Sequence, residues 1–417
     1  MKKLVNGINL AVIETTQFQS VKVVVDFYAP FNKETASQRS LLAVLMENSS
    51  AAYPDRQAMT TKLNELYGAH YSVSTSRFGR LAKIHLSLKF PNAAIFHDSQ
   101  LLEKAFAFLA EQIFSPLIIH DQFPDKMFEI EKKNFLTEFL SNFDNKSYKL
   151  HDRVLANYFS DANLRVHADG DQALIKQVTN ASVVGAYRQM LANDETILTV
   201  SGNLSSQKIE NLVNKWPIVS QNTINRKNIV YTQAIHELNK ISMHEYGDQS
   251  LLENAYNFVD YNHLSDQRFT AILFSQLLGG SSQSLLFLSI REKKQLVYYA
   301  NSLIFGQDGW MLIQAGLDKQ NMTAVENEIN RQIDKIRQHD FSDRLFSLIK
   351  NELITAIVSG QDYQNNTIDR EVAGFVSGYK KTTAQTIDLI NSVTADQVVA
   401  FSKKVIQQTE AVLINED

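Results

Sequence analysis

The chain has 417 residues, 44% of them hydrophobic and 21% charged, which supplies apolar material for two or more cores and argues against a disordered polymer. Its formal net charge of -4 and the lack of a Lys/Arg cluster interleaved with aromatics argue against a nucleic-acid partner. No cysteine is present, so disulfides, thiolate nucleophiles and Cys-ligated zinc are excluded together, in keeping with a reducing compartment.

The opening stretch MKKLVNGINLAVIETTQ interrupts its apolar run with Asn6, Gly7 and Asn9, which fails as a signal-peptide core. No later window approaches the roughly 18 uncharged apolar residues of a membrane span, so a cytoplasmic protein with no membrane partner is expected. Val21, Val23, Val25 and Phe27 alternate with polar residues at the strand period, and an apolar helix is expected around Leu41 to Met46. Ala82, Ile84, Leu86, Leu88 and Phe90 repeat the strand pattern, opposed by Lys83, His85, Ser87 and Lys89, so each strand should have one buried and one wetter face. Helical spacing follows in Leu102, Ala105, Phe106, Leu109 and Ile113 after the cap candidate Asp98, and in Phe128, Phe135, Leu136 and Phe139 after Pro124. The first half closes with the strand-like TILTVSGN and the helix SSQKIENLVNKW, and the polar stretch Ser220–Asn228 reads as a linker. Helices alternating with antiparallel-looking strand pairs define an α+β class.

The second half repeats the plan. A shift of 227 residues overlays Tyr71 on Tyr298, Phe78 on Phe305 and Gly79 on Gly306, and puts Leu41–Met46 over Arg268–Leu273. Two homologous domains, 1–218 and 229–417, are therefore expected, and paired domains of this kind commonly enclose a ligand cleft.

The stretch Leu277–Gly316, LLGGSSQSLLFLSIREKKQLVYYANSLIFGQDGWMLIQAG, resembles the C-terminal domain of the M16, pitrilysin-like metallopeptidases, in particular the smaller type that includes the mitochondrial processing peptidase. Leu-Gly-Gly, a short helix and then Arg291-Glu292-Lys293-Lys294-Gln295-Leu296-Val297-Tyr298 match the family pattern, with Gln295 standing where the family has glycine. The resemblance implies two domains of the metallohydrolase fold shared with the processing peptidases, arranged as a clamshell. It also implies a zinc helix with the order H-x-x-E-H, in which two histidines ligate the metal and the glutamate is general base. Counting back from Tyr53-Pro54-Asp55-Arg56, those positions fall on Ser40, Leu41, Leu42, Ala43 and Val44, and none of the 10 histidines lies between Met1 and Ala69. Both ligands and the base are missing. His236 and His244 fit neither H-x-x-E-H nor H-E-x-x-H. Glu131 and Glu138 resemble the family segment that supplies the third ligand; seven residues apart on a helix, they share one face and read as remnants with an ion-pairing role.

In M16 peptidases built of two different subunits, one chain holds zinc and the other projects an arginine and a tyrosine toward the substrate. The resemblance assigns those roles to Arg291 and Tyr298, directional donors suited to an oxyanion or a peptide carbonyl. The residues by themselves also fit a blander account: Arg291 near a helix end, where a cation gains about 0.3 to 1 kcal/mol from the macrodipole, and Tyr298 as one strand aromatic among 15 tyrosines. Gly279-Gly280 ends a helix rather than cradling phosphate, and Asp152, Asp161 and His167 have no G-x-S-x-G nucleophile to serve. The expected protein is a zinc-less subunit with no cofactor of its own, zinc being held by a homologous M16 partner with intact H-x-x-E-H. Its ligand would be a peptide, and a homodimer is expected when the chain is isolated. The rival expectations are a degenerate scaffold or peptide-binding protein, and an independent peptidase with relocated ligands.

Overall fold

A computed structural model describes residues 1–218, 223–226 and 229–416, so the linker read at Ser220–Asn228 lies largely outside the described residues. The first sheet contains β1 (Lys2–Lys3), β2 (Asn9–Glu14), β3 (Ser20–Pro30), β4 (His70–Phe78), β5 (Leu81–Pro91) and β6 (Glu195–Gly202), in the order β1-β2-β6-β3-β5-β4. The second contains β7 (Asn239–Tyr246), β8 (Ser250–Phe258), β9 (Val297–Phe305), β10 (Trp310–Leu317) and β11 (Val405–Glu416), in the order β7-β11-β8-β10-β9. Apart from the short β1, the two orders correspond strand for strand. In both the one parallel pair joins the first strand to the last, β2 to β6 and β7 to β11. The α+β class and the internal duplication are therefore both present. The 227-residue offset holds at residue level: Phe78 and Phe305 each end a strand, and Gly79 and Gly306 each open the turn to the next.

The alternation in the sequence does what the strand period requires. Val21, Val23, Val25 and Phe27 of β3 and Ile84, Leu86, Leu88 and Phe90 of β5 are buried, on the face against which the helices Lys33–Asn48 and Leu101–Phe114 pack. The cap of the latter helix is Gln100, two residues after the expected Asp98, which instead accepts from the Gln100 N–H and binds Lys104 at 2.9 Å.

The opposite faces differ from the expectation of wet surfaces. The chain forms two compact units, one of residues 1–141, 166–226 and 363–376, the other of 142–165, 227–362 and 377–417. Each unit thus takes one helical segment from the other half of the sequence. In the first, the helix Gln364–Ser377 lies on the polar face of the sheet: Gln364 Nε2 donates to the Ser20 and Ser201 carbonyls at 3.1 and 3.0 Å, and Lys22 Nζ reaches Asn365 Oδ1 at 2.6 Å. In the second, Leu150, Val154, Leu155 and Tyr158 of the helix Lys146–Tyr158 form a core with Leu251, Ala255, Trp310, Leu312, Ala411 and Leu413. Each such fully buried side chain contributes about 1.5–3 kcal/mol before entropy is charged against it. Among the described residues no helix is long and apolar enough to cross a membrane.

Candidate functional site

In the first unit, the helix Lys33–Asn48 begins at Asn32, whose side chain accepts from the Glu34 N–H, and buries Leu41, Leu42 and Leu45. This places the degenerate metal positions in defined surroundings. Ser40 is buried and committed: its hydroxyl bonds Thr75 Oγ1 at 2.7 Å and Asp169 Oδ1 at 3.0 Å, and Thr75 donates to the same carboxylate at 2.9 Å. Ala43 is buried without a polar group, whereas Val44 lines a cavity of about 460 Å³. Glu131 and Glu138, two turns apart on the helix Asp125–Ser141, line that cavity too. Arg56 stands 3.8 Å from Glu131, the ion pair expected for it.

These residues do not fit zinc. Val44 and Ala43 offer no lone pair, Ser40 spends its hydroxyl on Thr75 and Asp169, and no group of three metal-ligating side chains occurs among the described residues. The sequence reading missed Glu47, which lines the cavity with Val44 and Glu131. It lies one helical turn beyond Val44, a spacing that would have revealed it. Burial raises the Glu47 carboxyl above its ordinary value, partly offset by the Val73 N–H that bonds it.

In the second unit, the helix Gln267–Ser275 continues into a π-helical turn, Gln276–Gly280. Gly279 is required there by packing: a Cβ would stand 3.0 Å from Ser302 Cβ and 3.1 Å from Leu286 Cδ1. A second π-helical segment, Phe287–Lys293, carries Arg291. Arg291 is exposed, with its guanidinium 5.0 Å from the Phe287 ring centroid, and among the described residues it makes no ion pair. Lys294 anchors the end of this segment. Its Nζ reaches Glu328 Oε2 at 2.5 Å, and Ser289 Oγ and Gln332 Nε2 each donate to Oε1 at 2.5 Å. Burial pushes the Glu328 carboxyl up, but the hydrogen bonds from Lys294, Ser289 and Gln332 and the Lys294 charge prevail and hold it at about 2.

Gln295 turns the chain with φ of 53°, the left-handed region, at the position where the M16 pattern has glycine. Tyr298 follows as the extra residue of a β-bulge: Tyr299 faces Gly316 and Val297 faces Leu317, leaving Tyr298 unpaired. Bulges redirect side chains, and this one leaves Tyr298 54% exposed, with its hydroxyl donating to Asp318 Oδ1 at 2.6 Å. That hydrogen bond, with the Asp318 charge, raises the phenol above its ordinary value. Arg291 and Tyr298 therefore both present polar ends at the surface, on either side of the turn at Gln295. Neither the bulge nor the part played by Asp318 was readable from spacing.

The fold is a duplicated α+β one, and Ser40, Ala43 and Val44 offer no free donor for a metal. Residues 177–353 match the family model described as the Peptidase M16 inactive domain. The chain is 24% identical over 366 residues to the Bacillus subtilis (strain 168) protein named probable inactive metalloprotease YmfF, covering 86% of this chain and 85% of that one. Among solved structures it is similar to a conserved protein from Enterococcus faecalis V583, with a TM-score of 0.90, 28% identity and coverage of 98% and 96% of the two chains. It shares the fold of a peptidase M16 inactive domain from Pseudomonas fluorescens, with a TM-score of 0.82, 15% identity and coverage of 100% and 98%. The chain is thus similar to M16-family proteins, and its own sequence contains no H-x-x-E-H.

Proposed function

We infer that this chain is the zinc-less subunit of a two-chain M16 peptidase, lending Arg291 and Tyr298 to a peptide whose hydrolysis is carried out by a homologous partner with intact H-x-x-E-H. Zinc would reside in that partner, and this chain would carry no cofactor. The observation that supports the reading is a contrast between the units. The metal positions of the first are replaced by Ser40, Ala43 and Val44, while the second retains Arg291 and Tyr298 on a segment held by the Glu328 hydrogen bonds. Fixed donors directed at developing negative charge lower a barrier by several kcal/mol in a water-poor site. A guanidinium without a carboxylate partner is free to serve as one.

The test begins with purification of the tagged chain from its native cells and identification of a companion bearing H-x-x-E-H. In the reconstituted pair, Arg291→Ala and Tyr298→Phe should each lower turnover by about 10- to 1000-fold with assembly intact. Unchanged turnover in both variants refutes the role. A second reading, a peptide-binding scaffold with no part in hydrolysis, draws support from Asp318, which already accepts the Tyr298 hydroxyl proton at 2.6 Å. Under that reading Tyr298→Phe alters neither turnover nor peptide binding, and the copurifying proteins include no M16 companion. When the chain is isolated from any partner, the subunit reading also predicts a homodimer, measurable by ultracentrifugation.

A further inference from the structure

The second unit holds two cations gathered on one aromatic ring. Arg268, on the first turn of the helix Gln267–Ser275, is partly buried, and its Nε–H is shielded from solvent with no acceptor among the described residues. Its guanidinium carbon lies 5.1 Å from the Tyr379 ring centroid and 5.7 Å from that of Phe269. Lys381 approaches the same Tyr379 ring, with Nζ at 5.0 Å, and among the described residues neither cation makes an ion pair. Asp266 is the acid of this cluster, and it is engaged elsewhere: its Oδ1 accepts from the Tyr379 hydroxyl, which fixes the ring. Tyr261 and His263, also near Arg268, hydrogen-bond each other at 3.1 Å and bring no negative charge. Burial lowers the Arg268 pKa, yet a guanidinium keeps its proton at any working pH, so a partly desolvated charge stands without compensation. Nε alone of its three nitrogens is shut off, which leaves both Nη groups open to a ligand. The backbone N–H groups of Arg268 and Phe269 are taken by the Ser265 and Asp266 carbonyls at 3.2 and 3.1 Å, so side chains, not the helix end, supply the donors.

We propose that Arg268 and Lys381 form a binding site for a phosphate dianion, free or carried on a larger molecule. The planar guanidinium takes two phosphate oxygens side by side, Lys381 supplies the second positive charge, and the Tyr379 ring, held through its hydroxyl by Asp266, seats both cations. Two unpaired cations match the two charges of the dianion. The assignment does not rest on the proposed function, since neither residue belongs to the segment that carries Arg291 and Tyr298.

The experiment titrates the full chain, labelled with 15N in arginine, with inorganic phosphate at about pH 8, where the anion is doubly charged. The Arg268 Nε–H, shut off from solvent, is the reporter, assigned by its loss in Arg268→Lys. The expected result is a saturable shift, with affinity about tenfold or more weaker in Lys381→Met. Arg344→Met, which removes an exposed charge elsewhere in the same unit, should leave it unchanged. Calorimetry on Arg268→Lys, which keeps the charge but not the fork, should show a loss like that of Lys381→Met. Acetate should bind at least about tenfold more weakly than phosphate. A blocked phosphoserine dipeptide and a hexose phosphate then distinguish the carriers: the one that binds more tightly than inorganic phosphate names the source, and if neither does, the ligand is the free anion. A reporter unmoved by phosphate, equal affinity in Lys381→Met, a matching loss in Arg344→Met, or acetate bound as tightly as phosphate overturns the proposal.

Discussion

Glu328→Ala tests whether the Arg291 segment is held in place by one buried carboxylate. Glu328 is 3% exposed and receives Lys294, Ser289 and Gln332, each at 2.5 Å. Hydrogen bonds to a charged group contribute about 1.5–3 kcal/mol each. Lys294 can rehydrate when released, because its side chain is 39% exposed, but Gln332 is buried and is left with Ser289 Oγ alone, at 3.2 Å. The net loss should therefore fall near 3 kcal/mol, at the lower end of the range for breaking a buried ion pair. The assay is urea unfolding followed by Trp310 fluorescence in a Trp216→Phe background, which confines the signal to the second unit. Trypsin should also cut faster after Arg291 and Lys293 in the variant. The pH dependence gives an independent check. The folded carboxyl sits at about 2 against an ordinary 4.5, so its contribution is fully present above 4.5 and is lost as pH falls through 2. Glu328→Ala should abolish that acid-range slope. A loss below about 1 kcal/mol, or an unaltered trypsin rate, would refute the idea that this carboxylate holds the segment.

Gln295→Gly should stabilise the second unit modestly, since relief of a left-handed conformation worth about 1–2 kcal/mol exceeds the roughly 0.5–1 kcal/mol of added chain entropy; a destabilised variant would refute the strain. His263 is 5% exposed, its Nδ1 lies 3.1 Å from the Tyr261 hydroxyl, and burial, with the Arg268 charge, lowers its pKa to about 4. Because the folded value is depressed from 6.5, stability should be full above pH 6.5 and decline as pH falls through 4, and His263→Gln should flatten that part of a stability-against-pH curve. Arg39 and Asp194 form a buried pair at 2.6 Å, in which burial keeps the Asp194 carboxyl above its ordinary value despite Arg39. Arg39→Met alone should cost about 3–5 kcal/mol in denaturant unfolding, and adding Asp194→Leu should recover most of it; an equally unstable double variant would contradict the desolvation argument.

The strands were legible because their period survives any tertiary arrangement: Val21 to Phe27 and Ala82 to Phe90 bury one face wherever the sheet sits. The duplication was legible for the same reason, through Phe78 and Phe305 at strand ends. What alternation cannot reveal is the cover on the other face. Lys22 reads as a solvent residue, yet it bonds Asn365, more than three hundred positions away in sequence, and the helix Gln364–Ser377 carries no local sign of the sheet it belongs to. The absence of histidine from Met1 to Ala69 was plain from residue identity alone. The cavity beside Val44 was not, because Glu47, Arg56 and Glu131 meet only through the packing of three helices. Tyr298 was named from a pattern, but its exposure depends on a bulge set by the pairing of Val297 and Tyr299 with β10.

The two halves of this chain share an architecture and differ in chemistry. In the first, the helix Lys33–Asn48 has its cap and its buried face, and the positions that the M16 pattern would give to metal hold Ser40, Ala43 and Val44. Their surroundings are settled: Ser40 bonds Thr75 and Asp169, and Glu131 is buried beside the exposed Arg56. In the second, a residue in a strained conformation, Gln295, and an unpaired strand residue, Tyr298, persist side by side. Both are unfavourable for stability, and features of that kind endure in a structure when the position they give to a side chain is used. The cost falls on the segment that bears Arg291 and Tyr298, the segment to which the proposed function assigns the contact with peptide.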